Sequence, residues 1–65
     1  MTDWSVRDES AARQTGFGSE QGIARSTFEA LVRKATESGE GGEFVLLADG
    51  TEIARAFVPK RKGAP

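Results

Sequence analysis

An arginine and two hydroxyl side chains stand side by side at Arg25, Ser26 and Thr27. Ser26 and Glu29 have the spacing of a capping box, which predicts that a helix begins here. Free N–H groups at the start of a helix, next to hydroxyls and a cation, are suited to bind phosphate. We therefore predict that Arg25, Ser26 and Thr27 contact a DNA backbone. The alternative is that Ser26 only caps the helix and that Arg25 is a solvated charge.

A second feature that attracts phosphate is the basic segment formed by Lys60, Arg61 and Lys62. We predict a non-specific contribution to DNA binding from it, although a solvated tail explains it equally well. The net charge of −1 argues against a generally cationic protein that coats nucleic acid or a membrane surface. The charge is uneven, because residues 1–22 carry −2 and residues 44–65 carry +2.

The sequence offers no catalytic constellation. Cysteine and histidine are absent, which excludes disulfides, thiolate or imidazole metal sites, and nucleophile–imidazole pairs. Gly16, Gly18 and Gly22 miss the dinucleotide-binding spacing by one residue, and no apolar strand precedes them. Glu29 and Glu37 flank Arg33 on the polar side of the predicted helix, which favours ion pairing over acid–base catalysis for these carboxylates. We expect a protein that is not an enzyme and that has no cofactor or metal.

Apolar residues at helical spacing define one amphipathic helix over residues 27–38. Phe28, Leu31, Val32 and Ala35 fall at i, i+3, i+4 and i+7, which places them on one stripe. Gly39 is the expected left-handed stop. A start as early as Ser19 also fits the stripe, with a bend at Gly22.

Residues 43–58 predict a β-hairpin, because two apolar runs flank Asp49 and Gly50. A two-residue type I′ turn places Leu46 opposite Ile53, whereas a type I turn with a G1 bulge places Val45 opposite Ile53. The sequence leaves both registers open. Pro59 ends the second strand.

Residues 1–22 are polar, rich in glycine and without a sustained period, so we interpret them as a partly mobile arm. Residues 4–7 have the alternation of a short strand. Trp4 and Phe17 are the side chains expected to dock, either on the core or on a partner. The predicted division is an arm at 1–22, a helix and hairpin domain at 23–59, and a basic tail at 60–65.

The fold class expected is α+β, a small single domain with the helix packed on the C-terminal hairpin. Only 15 large apolar side chains are available, which makes independent folding marginal. We therefore predict a homodimer or an obligate protein partner. No apolar stretch long enough to span a membrane and no signal segment is found, so we expect a cytoplasmic location.

Residues 24–59 resemble the Phd/YefM antitoxin family. The resemblance lies in Ala-Arg-Ser-Thr-Phe-Glu-Ala-Leu-Val from Ala24, in Gly39-Glu40, and in Ile-Ala-Arg-Ala-Phe-Val-Pro from Ile53. It implies a dimeric DNA-binding repressor that also neutralises a toxin. Arg25, Ser26 and Thr27 match the part of the family's helix that approaches DNA, and Arg55 matches an arginine of its hairpin. Two family features lack a counterpart, namely a strand directly before the helix and a toxin-binding segment after the hairpin.

The hairpin is also similar to the swapped-hairpin DNA binders of the AbrB/MazE type, which we rank lower because their helix is shorter. A hypothesis from another class is a small adaptor or inhibitor, of phage origin for example, that binds a larger protein and not DNA. It would dock through its hairpin edge and its aromatic arm. The candidate partner-binding residues are Trp4, Phe17 and Arg55.

Overall fold

The computed structural model describes residues 1–61 of the chain. It contains β1 (Trp4–Asp8), β2 (Arg13–Gly18), α1 (Gln21–Ser38), β3 (Gly42–Ala48) and β4 (Thr51–Val58). The four strands form one antiparallel sheet in the order β2-β1-β3-β4, and α1 packs on one face of it. The predicted α+β class is therefore confirmed. Among the described residues, no helix is both long enough and apolar enough to cross a membrane.

The N-terminal segment belongs to the sheet. Residues 4–18, which we expected in an arm, form the β1–β2 hairpin, and β1 occupies an inner position beside β3. Val6 is 3 % exposed and pairs directly with Leu46. The Asp49 N–H also donates to the Asp3 carbonyl at 2.8 Å, which ties the start of the chain to the second hairpin. The prediction of an arm is wrong for these residues, whereas the short strand predicted over residues 4–7 is confirmed by β1; pairing with β3 supplies the order that the local sequence lacks.

Helix α1 begins earlier than the capping box predicts. Its N-cap is Glu20, without a side-chain cap, and its first turn is closed by the Ala24 N–H, which donates to the Glu20 carbonyl at 3.1 Å. The longer helix brings Ala24 into the core, where it is fully buried. Ser26 therefore lies inside the helix and is not its cap, so the predicted start at residue 27 is wrong and the observed start lies close to the earlier alternative near Ser19. The stop at Gly39, in the left-handed conformation, is confirmed.

The predicted apolar stripe of α1 faces the sheet. Phe28 and Leu31 pack against the cluster formed by Val6, Ala24 and Leu46, and Ala35 is buried one turn later. Trp4, Phe17 and Ala54 complete the packing from the sheet side. The core thus joins the helix to both hairpins.

The β3–β4 hairpin has a register that neither predicted alternative describes. Asp49 and Gly50 both have positive φ, at 53° and 78°, as a type I′ turn requires. Ala48 pairs with Thr51 and Leu47 with Glu52, but a bulge at Ile53 then shifts the pairing to Leu46 with Ala54. Beyond the bulge Val45 pairs with Arg55, so both predicted partners of Ile53 are wrong.

Candidate binding surface

Among the described residues, strand β4 has one free edge, because it is the last strand of the sheet and pairs only with β3. We call this free edge, residues Thr51–Val58, the β4 edge. Two large apolar side chains on it are in water: Phe57 is 71 % exposed and Ile53 is 47 % exposed. The strand contains no proline or lysine, two residue types with which proteins protect such edges, although it has a bulge and the charged residues Glu52 and Arg55, which are other such devices. The β4 edge therefore offers unpaired backbone groups next to exposed apolar surface.

Arg55 is the centre of an ion-pair cluster on the face of the sheet opposite to α1, which we call the open face. Its Nε donates to one carboxylate oxygen of Glu52 and its Nη2 to the other, each at 2.8 Å. Its Nη1 also donates to Glu43, and Nη2 lies 3.7 Å from a carboxylate oxygen of Glu9. A bidentate pair fixes the guanidinium plane more firmly than a single contact does.

The cluster covers an apolar residue of the open face. Val45 is only 2 % exposed although α1 lies on the other face, and its cross-strand neighbours are Arg7 on β1 and Arg55 on β4. Arg7 in turn contacts Glu9 at 3.2 Å. The aliphatic stems of the two arginines shield Val45 from water while their charged ends are exposed.

The hydrogen bonds of Arg55 shift the pKa values of Glu52 and of Arg55 itself. The hydrogen bond from Arg55 lowers the pKa of the Glu52 carboxyl below its ordinary value, against a smaller opposing effect of desolvation. The same hydrogen bond to Glu52, together with that to Glu43, raises the pKa of the Arg55 guanidinium. Both groups are therefore charged at neutral pH and are paired with each other.

Phe57 stands between two recesses at the end of β4. One is a groove of about 490 Å³ between the C-terminal half of α1 and the end of β4, lined in part by Val32, Thr36 and Pro59. The other is a shallow cleft of about 340 Å³ bordered by Glu9, Glu40, Glu43 and Lys60. An aromatic side chain in such a position is available as an anchor for a partner.

The structure does not place the predicted DNA-binding residues at a helix start. Arg25 and Ser26 are exposed on the first half of α1, and Thr27 is half-buried beside Val6 and Leu31. Their backbone N–H groups lie inside the helix, where the carbonyls of the preceding turn accept them. The phosphate site inferred from free N–H groups is therefore wrong in its geometry, and DNA contact by these side chains stays a prediction.

The basic segment after β4 is partly engaged by the helix. The Arg61 N–H donates to the Gly39 carbonyl at 2.8 Å, and its Nη2 donates to the Thr36 carbonyl at 3.1 Å. A cation at the C-terminal end of a helix interacts favourably with the helix dipole and satisfies carbonyls that lack a partner within the helix. Lys60 is exposed, and Lys62 lies outside the described residues.

Trp4 and Phe17, which were predicted to dock either on the core or on a partner, are half-buried and pack against the core. Of the three predicted partner-binding residues, only Arg55 lies on the β4 edge. Ile53 and Phe57 were not among the predicted contacts to a partner, because large apolar residues of a strand are usually buried in the core. Their exposure follows from the order of the strands, because β1 pairs beside β3 and leaves β4 at the outside of the sheet.

Among residues 1–61, acidic side chains form no group of three or more that is arranged to hold a metal ion. No family model, curated protein or solved structure matches the chain. The strand directly before the helix, expected to lack a counterpart, is present as β2, which ends at Gly18. The resemblance to the Phd/YefM family itself stays a prediction.

Proposed function

We propose that this chain is a non-enzymatic protein-binding module and that the β4 edge is its binding surface. The observation that carries the proposal is the exposure of Phe57 and Ile53 on an uncovered strand of eight residues. A small protein gains stability by burying such side chains, and a free strand edge gains by pairing its backbone groups. A partner that adds an extended strand does both at once.

The charged residues of β4, Glu52 and Arg55, support recognition of a strand that carries the complementary charges. Glu52 and Arg55 present one negative and one positive group on the same face of β4, three residues apart. A partner strand that bears the opposite order of charges would pair with both. Backbone hydrogen bonds supply affinity in this mode, and the side chains supply selectivity.

A dimeric DNA-binding repressor of the antitoxin type is the second candidate. Arg25, Arg33 and Lys34 are exposed on α1, and in the described part of the chain they make no ion pair within 4 Å. Glu29 and Glu37 are interspersed among them on the exposed side of the helix, which lowers the positive potential that DNA binding requires. We therefore rank protein binding first.

Two isoleucines provide a matched test. Ile53 on β4 and Ile23 on α1 are both about half exposed, at 47 % and 53 %, so a lysine at either position changes the surface comparably. We expect Ile53→Lys to abolish stoichiometric association with a protein partner, whereas Ile23→Lys leaves it intact, because a lysine on an edge strand opposes strand addition. Equal association of both variants would overturn the proposal.

DNA binding is measured in parallel on the same preparations. If the second candidate holds, Arg25→Ala and Arg33→Ala weaken binding to the DNA upstream of the coding region, and affinity falls steeply with salt. Salt-dependent, stoichiometric DNA binding that Ile53→Lys leaves unchanged would favour the repressor over the protein-binding module.

A further inference from the structure

We propose that the strand that pairs with the β4 edge is β4 of a second copy of this chain. The two copies would pair antiparallel about a two-fold axis and join their sheets into one of eight strands. This inference rests on the proposed role of the β4 edge and names its partner.

The register within the sheet assigns the side chains of β4 to faces. Thr51, Ala54 and Ala56 pair with Ala48, Leu46 and Phe44, which places them on the face covered by α1. Glu52 and Arg55 pair with Leu47 and Val45, which places them on the open face. Residues that are opposite each other in an antiparallel pair share a face, so this assignment restricts how two β4 strands can align.

One alignment satisfies the faces and the charges together. When Glu52 lies opposite Arg55 of the second copy, Thr51 lies opposite Ala56, and both pairs match in face. By symmetry the Glu52–Arg55 pair occurs twice, so four alternating charges meet on the open face. Opposite charges directly across a strand pair are stabilising, and like charges are destabilising.

The competing alignment that centres on Arg55 fails on both counts. It places Arg55 opposite Arg55 of the second copy, which brings two like charges together. It also places Glu52 opposite Val58, although Val58 pairs with Gly42 and lies on the helix-covered face. The bulge at Ile53 is the cause, because it reverses the alternation of faces along β4.

The favoured alignment accommodates the irregular part of β4 and its exposed aromatic ring. The two-fold axis passes between Ile53 and Ala54, so the bulged step of each copy meets the same step of the other. Phe57 lies opposite Gly50 of the second copy, where the absence of a side chain leaves room for the ring. Like faces meet across the junction, so both helices lie on the same side of the joined sheet.

The opposite edge of the sheet is less suited to self-pairing. Strand β2 carries Gly16 and Gly18 and exposes the polar side chains Arg13, Gln14 and Thr15. Glycine weakens a strand, and this edge presents little apolar surface to a partner. The observations therefore favour β4 over β2 as the self-pairing edge.

A charge exchange tests the alignment with two variants. Glu52→Arg gives a chain with two positive groups at positions 52 and 55, and Arg55→Glu gives a chain with two negative groups. In the proposed alignment each variant repels its own copy, while a mixture forms two Arg–Glu pairs across the axis. By sedimentation velocity we expect a dimer of the unmodified chain, weakening by about tenfold or more in each variant alone, and recovery of the dimer in an equimolar mixture.

Circular dichroism shows whether the charge variants fold. If one does not, introduced thiols provide a second test of the same alignment. The chain has no cysteine, so Thr51→Cys and Ala56→Cys each introduce one unique thiol. Their Cα atoms would lie within disulfide range across the proposed pair. Mild oxidation of the two variants mixed is expected to give a covalent dimer, several-fold more than either variant alone gives.

The outcomes separate this inference from the proposed function. A monomer at every concentration, or a dimer that all the charge variants form equally, would overturn the self-pairing. If a different protein still loses its association with Ile53→Lys but not with Ile23→Lys, the β4 edge remains the binding surface and only its partner was misidentified. If Ile53→Lys affects neither, the proposed function fails as well.

Discussion

The guanidinium group of Arg55 donates to both carboxylate oxygens of Glu52, three residues earlier on the same edge strand, at 2.8 Å each. Three residues apart on a regular strand, two side chains point to opposite faces. The bulge at Ile53 brings Glu52 and Arg55 to the same face and makes the contact possible. A local irregularity of the backbone thus sets the charge pattern of the β4 edge.

Removing the Arg55 side chain should lower the melting temperature modestly. Arg55→Ala leaves Glu9, Glu43 and Glu52 close together without their common cation, and it uncovers Val45. Exposed ion pairs contribute little individually and are screened by salt, so the decrease should be largest at low ionic strength. Arg25→Ala, at an exposed position on α1, is the control. An equal effect of both variants at low salt would contradict the role of the cluster.

Acid should remove the contribution of Glu52 to stability. Because its pKa in the folded protein is below the ordinary value of 4.5, the contribution is complete above that pH and is lost as the pH falls through the lowered pKa. Glu52→Gln lacks this contribution at neutral pH. The gap in melting temperature between the unmodified chain and the variant should therefore shrink on acidification, with Glu29→Gln as the control for loss of one carboxylate. A gap that stays constant down to strongly acidic pH would refute the pairing.

Val6 tests whether the first hairpin is part of the core. Val6→Ala removes two methyl groups from a side chain that is 3 % exposed, and we expect a loss of about 2 kcal/mol in the free energy of unfolding. Ile23→Ala, on the exposed side of α1, should cost less than about 0.5 kcal/mol. Chemical denaturation followed by Trp4 fluorescence measures both. A Val6 effect no larger than that of Ile23 would mean that residues 1–22 are an arm after all.

Substitution of Gly41 and of Gly22 by alanine should change the stability of the protein in opposite directions. At Gly41, φ is 72° and an added Cβ would lie 2.6 Å from the Val58 carbonyl oxygen and 2.7 Å from the Lys60 nitrogen. Gly41→Ala should therefore destabilise by about 2 kcal/mol or more, since backbone atoms cannot move aside cheaply. Gly22 lies in α1 with nothing within 4 Å, so Gly22→Ala should stabilise by about 0.5–1 kcal/mol. Thermal unfolding of the two variants decides, and a stable Gly41→Ala protein would contradict the close packing of the chain after β4.

The helix and the second hairpin were predictable because their signals are local. The stripe of Phe28 and Leu31 and the Asp49-Gly50 turn are read directly from spacing and residue type. Of the first hairpin only the short strand over residues 4–7 was predictable, from its alternation; β2 and the place of β1 beside β3 were not, because that pairing joins residues more than 30 apart. The capping box failed for a related reason, since burial of Ala24 favours an earlier helix start over the local hydrogen bonds of Ser26.

The binding surface was predictable only at Arg55. The sequence does not show that β4 is an edge strand, since that follows from the position of β1 in the sheet order. Neither does it show the bulge, which moves Arg55 opposite Val45 and so to the face that carries Glu52. The sheet order and the bulge together determine that Phe57 is exposed. An aromatic residue on a predicted strand therefore lies in water and not in the core.

Backbone amide exchange along β4, followed over a range of protein concentration, tests the central claim most directly. If the β4 edge binds β4 of a second copy, the outward-facing amides of Thr51–Val58 become protected as concentration rises, while those on the free edge of β2 do not change. Ile53→Lys should remove this protection, and Ile23→Lys should preserve it. Exchange in β4 that is independent of concentration, or protection that develops on α1 instead, would contradict the self-pairing of the β4 edge.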